Sequence, residues 1–143
     1  FVSHDIEDAM VMADRMVVLR KGAAEQVGTP DEIYDRPANP HVARLFGETN
    51  FIPLGLLPDA PHSIAAETGE GQVVPARPHQ WQLVENSNHG STAFTGKVVS
   101  TTNRGAHQEV LLQTENLTLT IHLPGNTTVK PGETLTVSCD LTV

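Results

Sequence analysis

The chain has 143 residues, and its seventeen acidic residues against nine Lys and Arg give a formal net charge of -8. Such a charge repels a nucleic-acid backbone on average, so we expect no nucleic-acid partner. With 4% aromatic residues and a single cysteine, Cys139, the chain is expected to have a moderate aliphatic core and no internal disulfide, as is typical of a reducing compartment.

The N-terminal stretch carries signals for a helix and a hairpin. Asp5 is a predicted N-cap, and apolar residues at i, i+3, i+4 and i+7 spacing extend the helix to about Asp14. An apolar run at 16–19, a Lys-Gly turn at 21–22 and a returning segment at 23–27 then predict a β-hairpin.

Two short helices are predicted after the hairpin. Thr29 and Asn39 are N-cap residues, and each is followed by a proline at the first helical position. Gly47 ends the second helix. Because the helical period disappears beyond it, we predict a domain boundary between residues 47 and 48.

Short alternating segments fill the remainder of the chain. In 117–123 and 134–139 apolar and polar residues alternate, which predicts one buried and one solvated face. Turn chemistry at 124–126 and 130–133 separates the last strands. The pattern predicts a small antiparallel barrel or sandwich. The predicted strands are 50–54, 62–66, 72–75, 81–84, 94–100, 109–113, 117–123 and 134–139.

Read in order, the segments SHD, EDAM, ADRMVVLRKG, EQVGTP and YDRPANPHVARLFG resemble the end of the nucleotide-binding domain of ABC-type import ATPases. The resemblance covers about the first 47 residues. It implies that His4 is the switch histidine, which contacts the γ-phosphate of ATP and helps to position the attacking water. An imidazole at a strand-to-helix junction can donate to a phosphate in this way.

The second part resembles the accessory barrel called TOBE. Arg77-Pro78-His79 falls where importers of sulfate, iron, polyamines and sugars often have Arg-Pro-Glu, and GKVV at 96–99, Gly105 and VKPGE at 129–133 also resemble this barrel. His79 departs from the pattern, since a carboxylate only accepts while an imidazole titrates near neutral pH. The expected fold class is α+β, with a short α/β remnant of an ATPase domain at 1–47 followed by a small all-β, OB-like barrel at 48–143.

The resemblance implies a parent enzyme that hydrolyses ATP with Mg²⁺. Its partners would be transmembrane permease subunits and a second ATPase copy, at the cytoplasmic side of the membrane and peripheral to it. The sequence lacks a G-x-x-x-x-G-K-[ST] phosphate loop and a glycine-rich signature motif, so the chain itself is expected to bind no nucleotide and to be inactive. No apolar run approaches the roughly 18 residues of a membrane helix.

The opening FVSHD has no initiator Met and no basic leader, which is typical of the interior of a longer protein. A homodimer or swapped arrangement is therefore expected, formed through apolar surface that the rest of such a protein would cover. The residues expected to present this surface are Ile6, Met10, Val17 and Leu19.

The cargo of the parent is expected to be an inorganic ion, such as sulfate or ferric iron, or a polyamine. Two alternatives stay open, namely a stand-alone barrel that binds an oxyanion and a protein-interaction barrel that docks a regulator. Arg77, Arg104 and His79 are candidate oxyanion ligands, because guanidinium forks suit tetrahedral anions. Solvated surface arginines are the simpler interpretation of Arg77 and Arg104.

No metal site is predicted, because no two histidines stand at a ligand-pair spacing. They are interpreted as a surface scatter, and His122, at a polar position of an alternating strand, is expected to face water. The histidines besides His4 are His41, His62, His79, His89, His107 and His122.

Overall fold

The computed structural model describes residues 5–85 and 92–141 of the chain. His4 and His89 lie outside the described residues. The described helices are α1 (Ile6–Met12), α2 (Pro30–Asp35) and α3 (Pro40–Leu45). The described strands are β1 (Met16–Arg20), β2 (Ala23–Gly28), β3 (Asn50–Pro53), β4 (Ile64–Ala65), β5 (Gln72–Ala76), β6 (Trp81–Leu83), β7 (Ala93–Asn103), β8 (His107–Thr114), β9 (Thr118–Pro124) and β10 (Thr134–Cys139).

Side-chain caps define where the three helices begin. The Asp5 carboxylate accepts from the first backbone N–H groups of α1, and Asn39 accepts from the amide of Val42 at 2.9 Å. Thr29 and Glu32 form a reciprocal capping box at the start of α2. These caps satisfy helix-end donors that would otherwise have no partner, which is why such short helices form where the sequence predicts them.

The N-terminal cluster is the small apolar core of the first part of the chain. It consists of the buried side chains Val18, Ile33, Val42 and Phe46. Strands β1 and β2 pair antiparallel as predicted, but their outer face is not covered, and Val17 and Leu19 are 55% and 64% exposed. The expected exposure of Ile6 and Met10 is found only in part, because both are half-buried against this cluster.

The second part of the chain forms a five-stranded sheet in the order β6-β10-β7-β8-β9. The two edge strands, β6 and β9, also lie against each other, so the sheet is nearly closed into a barrel. The mostly β, OB-like character of this part is confirmed. Its alternation is clearest in β9, where Leu119, Ile121 and Leu123 are almost fully buried. Ser138 breaks the pattern in β10 and is buried, on a strand flanked by both β6 and β7.

A separate three-stranded sheet, in the order β3-β5-β4, lies between the helices and the barrel. Its Ile52 and Val74 belong to the same apolar core as the barrel strands. The Asn50 side chain connects this sheet to β9 of the barrel. Its amide nitrogen donates to the Thr120 carbonyl and its amide oxygen accepts from the Thr120 N–H, both at 2.8 Å. Strand β4 is shorter than predicted and β7 is longer.

Along the chain, the N-terminal cluster ends at Phe46 and the barrel core begins at Ile52. The boundary at 47/48 and the ATPase origin of residues 1–47 stay predictions. No helix within the described residues is long and apolar enough to cross a membrane.

Candidate functional site

Arg77 lies at the junction of the two parts, directly before the 3₁₀ turn Pro78–Gln80, and it is only 5% exposed. Its Nη1 donates to the carbonyl oxygens of Ala43 and Gly47, at 2.7 and 3.1 Å, and to the hydroxyl of Thr49 at 2.6 Å. Its Nη2 donates to the carbonyl of Tyr34 at 3.2 Å, and its guanidinium carbon lies 4.4 Å from the centre of the Tyr34 ring. Arg77 therefore joins the ends of α2 and α3 to the barrel.

The interpretation of Arg77 as a solvated surface arginine is wrong. Burial lowers the pKa of its guanidinium, yet a side chain with so high a starting pKa remains charged. The carbonyl oxygens of Tyr34, Ala43 and Gly47 solvate the charge in place of water. Since both terminal nitrogens already donate to protein oxygens, this environment argues against the predicted oxyanion role.

A cleft of about 310 Å³ separates α2 from the barrel. Tyr34 and His79 line it with their rings stacked at a centroid distance of 6.4 Å, and His62 contacts the Pro37 carbonyl through Nε2 at 2.9 Å. Arg77 also lines this cleft, whereas Arg104 does not. The structure thus places two of the three predicted oxyanion ligands together and leaves the third elsewhere.

Arg104 lies at the turn between β7 and β8, where its Nη2 is 3.6 Å from Oε1 of Glu109. Glu109 in turn faces His122 on β9, with 3.7 Å between Oε2 and Nε2. His107 stacks on His122 with a ring centroid distance of 3.9 Å and an interplanar angle of 27°. Arg104 is therefore the outer member of a charged cluster on the β8–β9 face.

The prediction that His122 faces water is met only in part, because the alternation of β9 places it opposite the buried face while its side chain is largely covered. Its side chain is 26% exposed, and its Nε2 is buried without a hydrogen-bond partner among the described residues. Burial lowers the pKa of His122 and the neighbouring His107 lowers it further, whereas Glu109 and Glu48 act in the opposite direction. The interpretation of the histidines as a surface scatter therefore fails for His107 and His122.

A groove of about 760 Å³ runs along the same face of the barrel. His79, His107 and His122 line it together with Trp81, whose ring is 3% exposed and packs edge-on against Phe94. His79 thus borders both the cleft and the groove. The groove connects the β8–β9 cluster to solvent.

Part of this cluster could have been found in the sequence. His107 and Glu109 are two residues apart in a segment of strand character, so their side chains must share a face. His122 joins them only through the strand register, in which it is the direct partner of Glu109. That register is a property of the folded sheet and not of local spacing.

Residues 74–141 match the family model described as TOBE domain. All of the strands β6 to β10 fall within the match. The five-stranded sheet is therefore similar to the TOBE domain.

Relatives of the chain are named as ATP-binding proteins of importers. A spermidine/putrescine import ATP-binding protein, PotA, of Clostridium acetobutylicum is 36% identical over 132 residues, which cover 85% of this chain and 37% of the relative. A sulfate/thiosulfate import ATP-binding protein, CysA 1, of Rhizobium meliloti is 40% identical over 115 residues, covering 70% of this chain and 30% of the relative. The chain spans about a third of the length of these relatives.

Proposed function

We propose that the chain is the C-terminal part of the ATP-binding subunit of an ABC-type importer. The observation that carries the proposal is the extent of the alignment to the clostridial relative, which covers 85% of the chain. The predicted barrel region, 48–143, makes up only about two thirds of the chain. The alignment therefore includes much of residues 1–47, where the switch-histidine resemblance lies.

In this proposal the intact subunit binds ATP and Mg²⁺, works with transmembrane permease subunits and a second ATPase copy, and lies at the cytoplasmic side of the membrane. His4 would contact the γ-phosphate, as the resemblance implies, while the rest of the nucleotide site belongs to parts of the subunit outside this sequence. Arg77 supports the proposal physically, because it connects the helical part to the barrel through buried hydrogen bonds. Such a connection holds the barrel at a defined position on the ATPase domain.

For the transported cargo, the proposal names only a chemical class. The relatives include proteins named for polyamines and for sulfate or thiosulfate. We propose a small ion of one of these kinds, with ferric iron as a further candidate, and the barrel as a regulatory rather than a catalytic unit. The stand-alone oxyanion barrel has less support, since the Arg77 donors are occupied and Arg104 pairs with Glu109.

A chimeric subunit tests the proposal. The segment of the clostridial protein that aligns with this chain would be replaced by this chain, and spermidine uptake and ATP hydrolysis would be measured in cells and membranes that lack the native subunit. We expect both to be restored, and His4→Ala in the chimera to reduce hydrolysis at least about a hundredfold, in the range seen when a charge-stabilising group is lost. Val99→Thr, at an exposed barrel position, is the matched control and should leave both unchanged.

A chimera that folds and binds the permease but hydrolyses no ATP would contradict the proposal. A His4→Ala chimera with unaltered ATP hydrolysis would also contradict the proposal, because the N-terminal stretch would then have no part in that hydrolysis.

A further inference from the structure

Two imidazoles and a carboxylate come together on the outer face of β8 and β9. His107 and Glu109 share one face of β8, and His122 is the cross-strand partner of Glu109. One possible ligand atom from each residue lies within 4.8 Å of the other two. Because all three belong to paired strands, the ladder hydrogen bonds fix their backbone positions.

We propose that His107, Glu109 and His122 form a binding site for a divalent first-row transition metal ion, with Zn²⁺ as the best-fitting member. Two imidazoles and one carboxylate are a donor set that Zn²⁺ takes in proteins, with water or another ligand in the fourth position. Imidazole also suits Co²⁺ and Ni²⁺, whereas Ca²⁺ and Mg²⁺ prefer oxygen ligands.

The distances are close to those of a bound site. Ligand atoms about 2.0–2.2 Å from Zn²⁺ in tetrahedral geometry lie roughly 3.4 Å from one another. Nε2 of His122 and Oε2 of Glu109 are already 3.7 Å apart. The His107 ring must turn out of its stacked arrangement so that its lone pair converges on the same point, and its ligand atom already lies within 4.8 Å of the other two.

The buried Nε2 of His122 is an independent observation that points to a ligand. It has no hydrogen-bond partner among the described residues, although its solvent exposure is almost nil. A buried polar atom left without a partner destabilises the fold. A metal ion bound between Nε2 and Oε2 would give both atoms a partner.

The surroundings of the cluster favour a cation that retains an exchangeable ligand. Oε1 of Glu109 faces Arg104, so the guanidinium holds one carboxylate oxygen while Oε2 points to His122. His107 and His122 both line the groove, which gives solvent access to the open coordination position. An anion held by two protonated imidazoles is disfavoured, since the carboxylate would lie beside it.

Metal titration of the full chain without an affinity tag tests the site. We expect Zn²⁺ to bind with a stoichiometry of one in calorimetry, and Co²⁺ to give the intense visible absorption of four- or five-coordinate ions. Glu109→Gln, which preserves shape, and His122→Gln should each weaken Zn²⁺ binding at least about tenfold and remove the Co²⁺ band. His41→Gln is the matched control, because His41 also lies beside a carboxylate, 3.8 Å from Glu25, but outside this cluster.

Circular dichroism melts establish that each variant is folded. Equal Zn²⁺ affinity of the unaltered chain, Glu109→Gln and His122→Gln would overturn the proposal. It would also be overturned if Co²⁺ bound to the unaltered chain gave only the weak spectrum of the hydrated ion, a result that does not depend on any variant.

Discussion

The guanidinium of Arg77 lies where oxygens from α2, α3 and the following loop converge, and no other side chain described makes so many contacts across the junction. Its donors are fixed in a planar fork, and the oxygens around it are three carbonyls in or just after helix ends and the hydroxyl of Thr49. Lysine carries the same charge but cannot reach four oxygens at once. The geometry of the side chain, and not its charge alone, therefore stabilises the junction.

Arg77→Lys is expected to lower the free energy of unfolding by about 2–3 kcal/mol, because several hydrogen bonds from a buried charged donor are lost. Urea unfolding followed by circular dichroism measures the change. Arg104→Lys is the matched control, since Arg104 is exposed and should change stability by no more than about 0.5 kcal/mol. Equal effects of the two substitutions on the free energy of unfolding would show that the contacts of Arg77 do not stabilise the junction.

Cys139 is the only cysteine of the chain and lies half-buried against the barrel core, opposite Trp81 in the sheet. Burial, with a smaller contribution from Asp140, raises the pKa of its thiol to about 12. The thiol therefore remains protonated at physiological pH. This is expected of a structural cysteine and not of a nucleophile.

Alkylation of Cys139 by iodoacetamide at pH 8.5 should be about 10³ times slower in the folded chain than in denaturant, because the thiolate is the reactive form and the two pKa values differ by about three units. Mass spectrometry of timed samples measures the two rates. The raised pKa also means that this residue contributes stability fully below pH 9 and loses it as pH rises towards 12. Equal alkylation rates would contradict the burial of the thiol.

Strand β7 contains a glycine at a point where a side chain would collide with the neighbouring strand. A Cβ on Gly96 would lie 2.6 Å from the Gln113 carbonyl oxygen and 3.0 Å from Cγ of Leu112. Both contacts come from β8, which pairs with β7. Gly96 is therefore needed for close packing of the two strands and not for an unusual backbone angle.

Gly96→Ala is expected to lower the free energy of unfolding by about 2 kcal/mol, since one of the two strands must shift to relieve the contact. Gly55→Ala is the matched control, because a Cβ at Gly55 would meet no atom within 4 Å. Thermal and urea unfolding of both variants measure the difference. A Gly96→Ala variant as stable as Gly55→Ala would contradict this packing.

Local signals in the sequence predicted most of the elements. The Thr29 and Asn39 caps, the Lys21-Gly22 turn and the alternation in β9 act within a few residues, so they could be recognised without the fold. The Arg77 contacts and the His107–His122 stack join residues distant in sequence. These contacts depend on the strand register and on how the two parts of the chain pack together. The spacing of residues along the sequence determines neither.

The β1–β2 hairpin leaves one apolar face uncovered. Val17 and Leu19 point to one side of β1, and Val27 is the cross-strand partner of Val17. All three are more than half exposed, while Val18 on the opposite side is buried in the N-terminal cluster. An uncovered apolar sheet face of this kind is typical of an interface. In the proposed subunit, the rest of the ATPase domain would cover it.

We expect the chain in isolation to self-associate through this face, in a concentration-dependent way that sedimentation velocity can measure. The combined change Val17→Thr and Leu19→Lys should raise the dimer dissociation constant at least about tenfold, because each partner then loses apolar area and gains a charge at the contact. Val99→Lys is the matched control, since Val99 is as exposed as Val17 but lies on the barrel. A monomer at all concentrations would contradict the prediction. If Val99→Lys weakened the dimer as much as the hairpin changes, the interface would instead lie on the barrel, and the hairpin face would need another explanation.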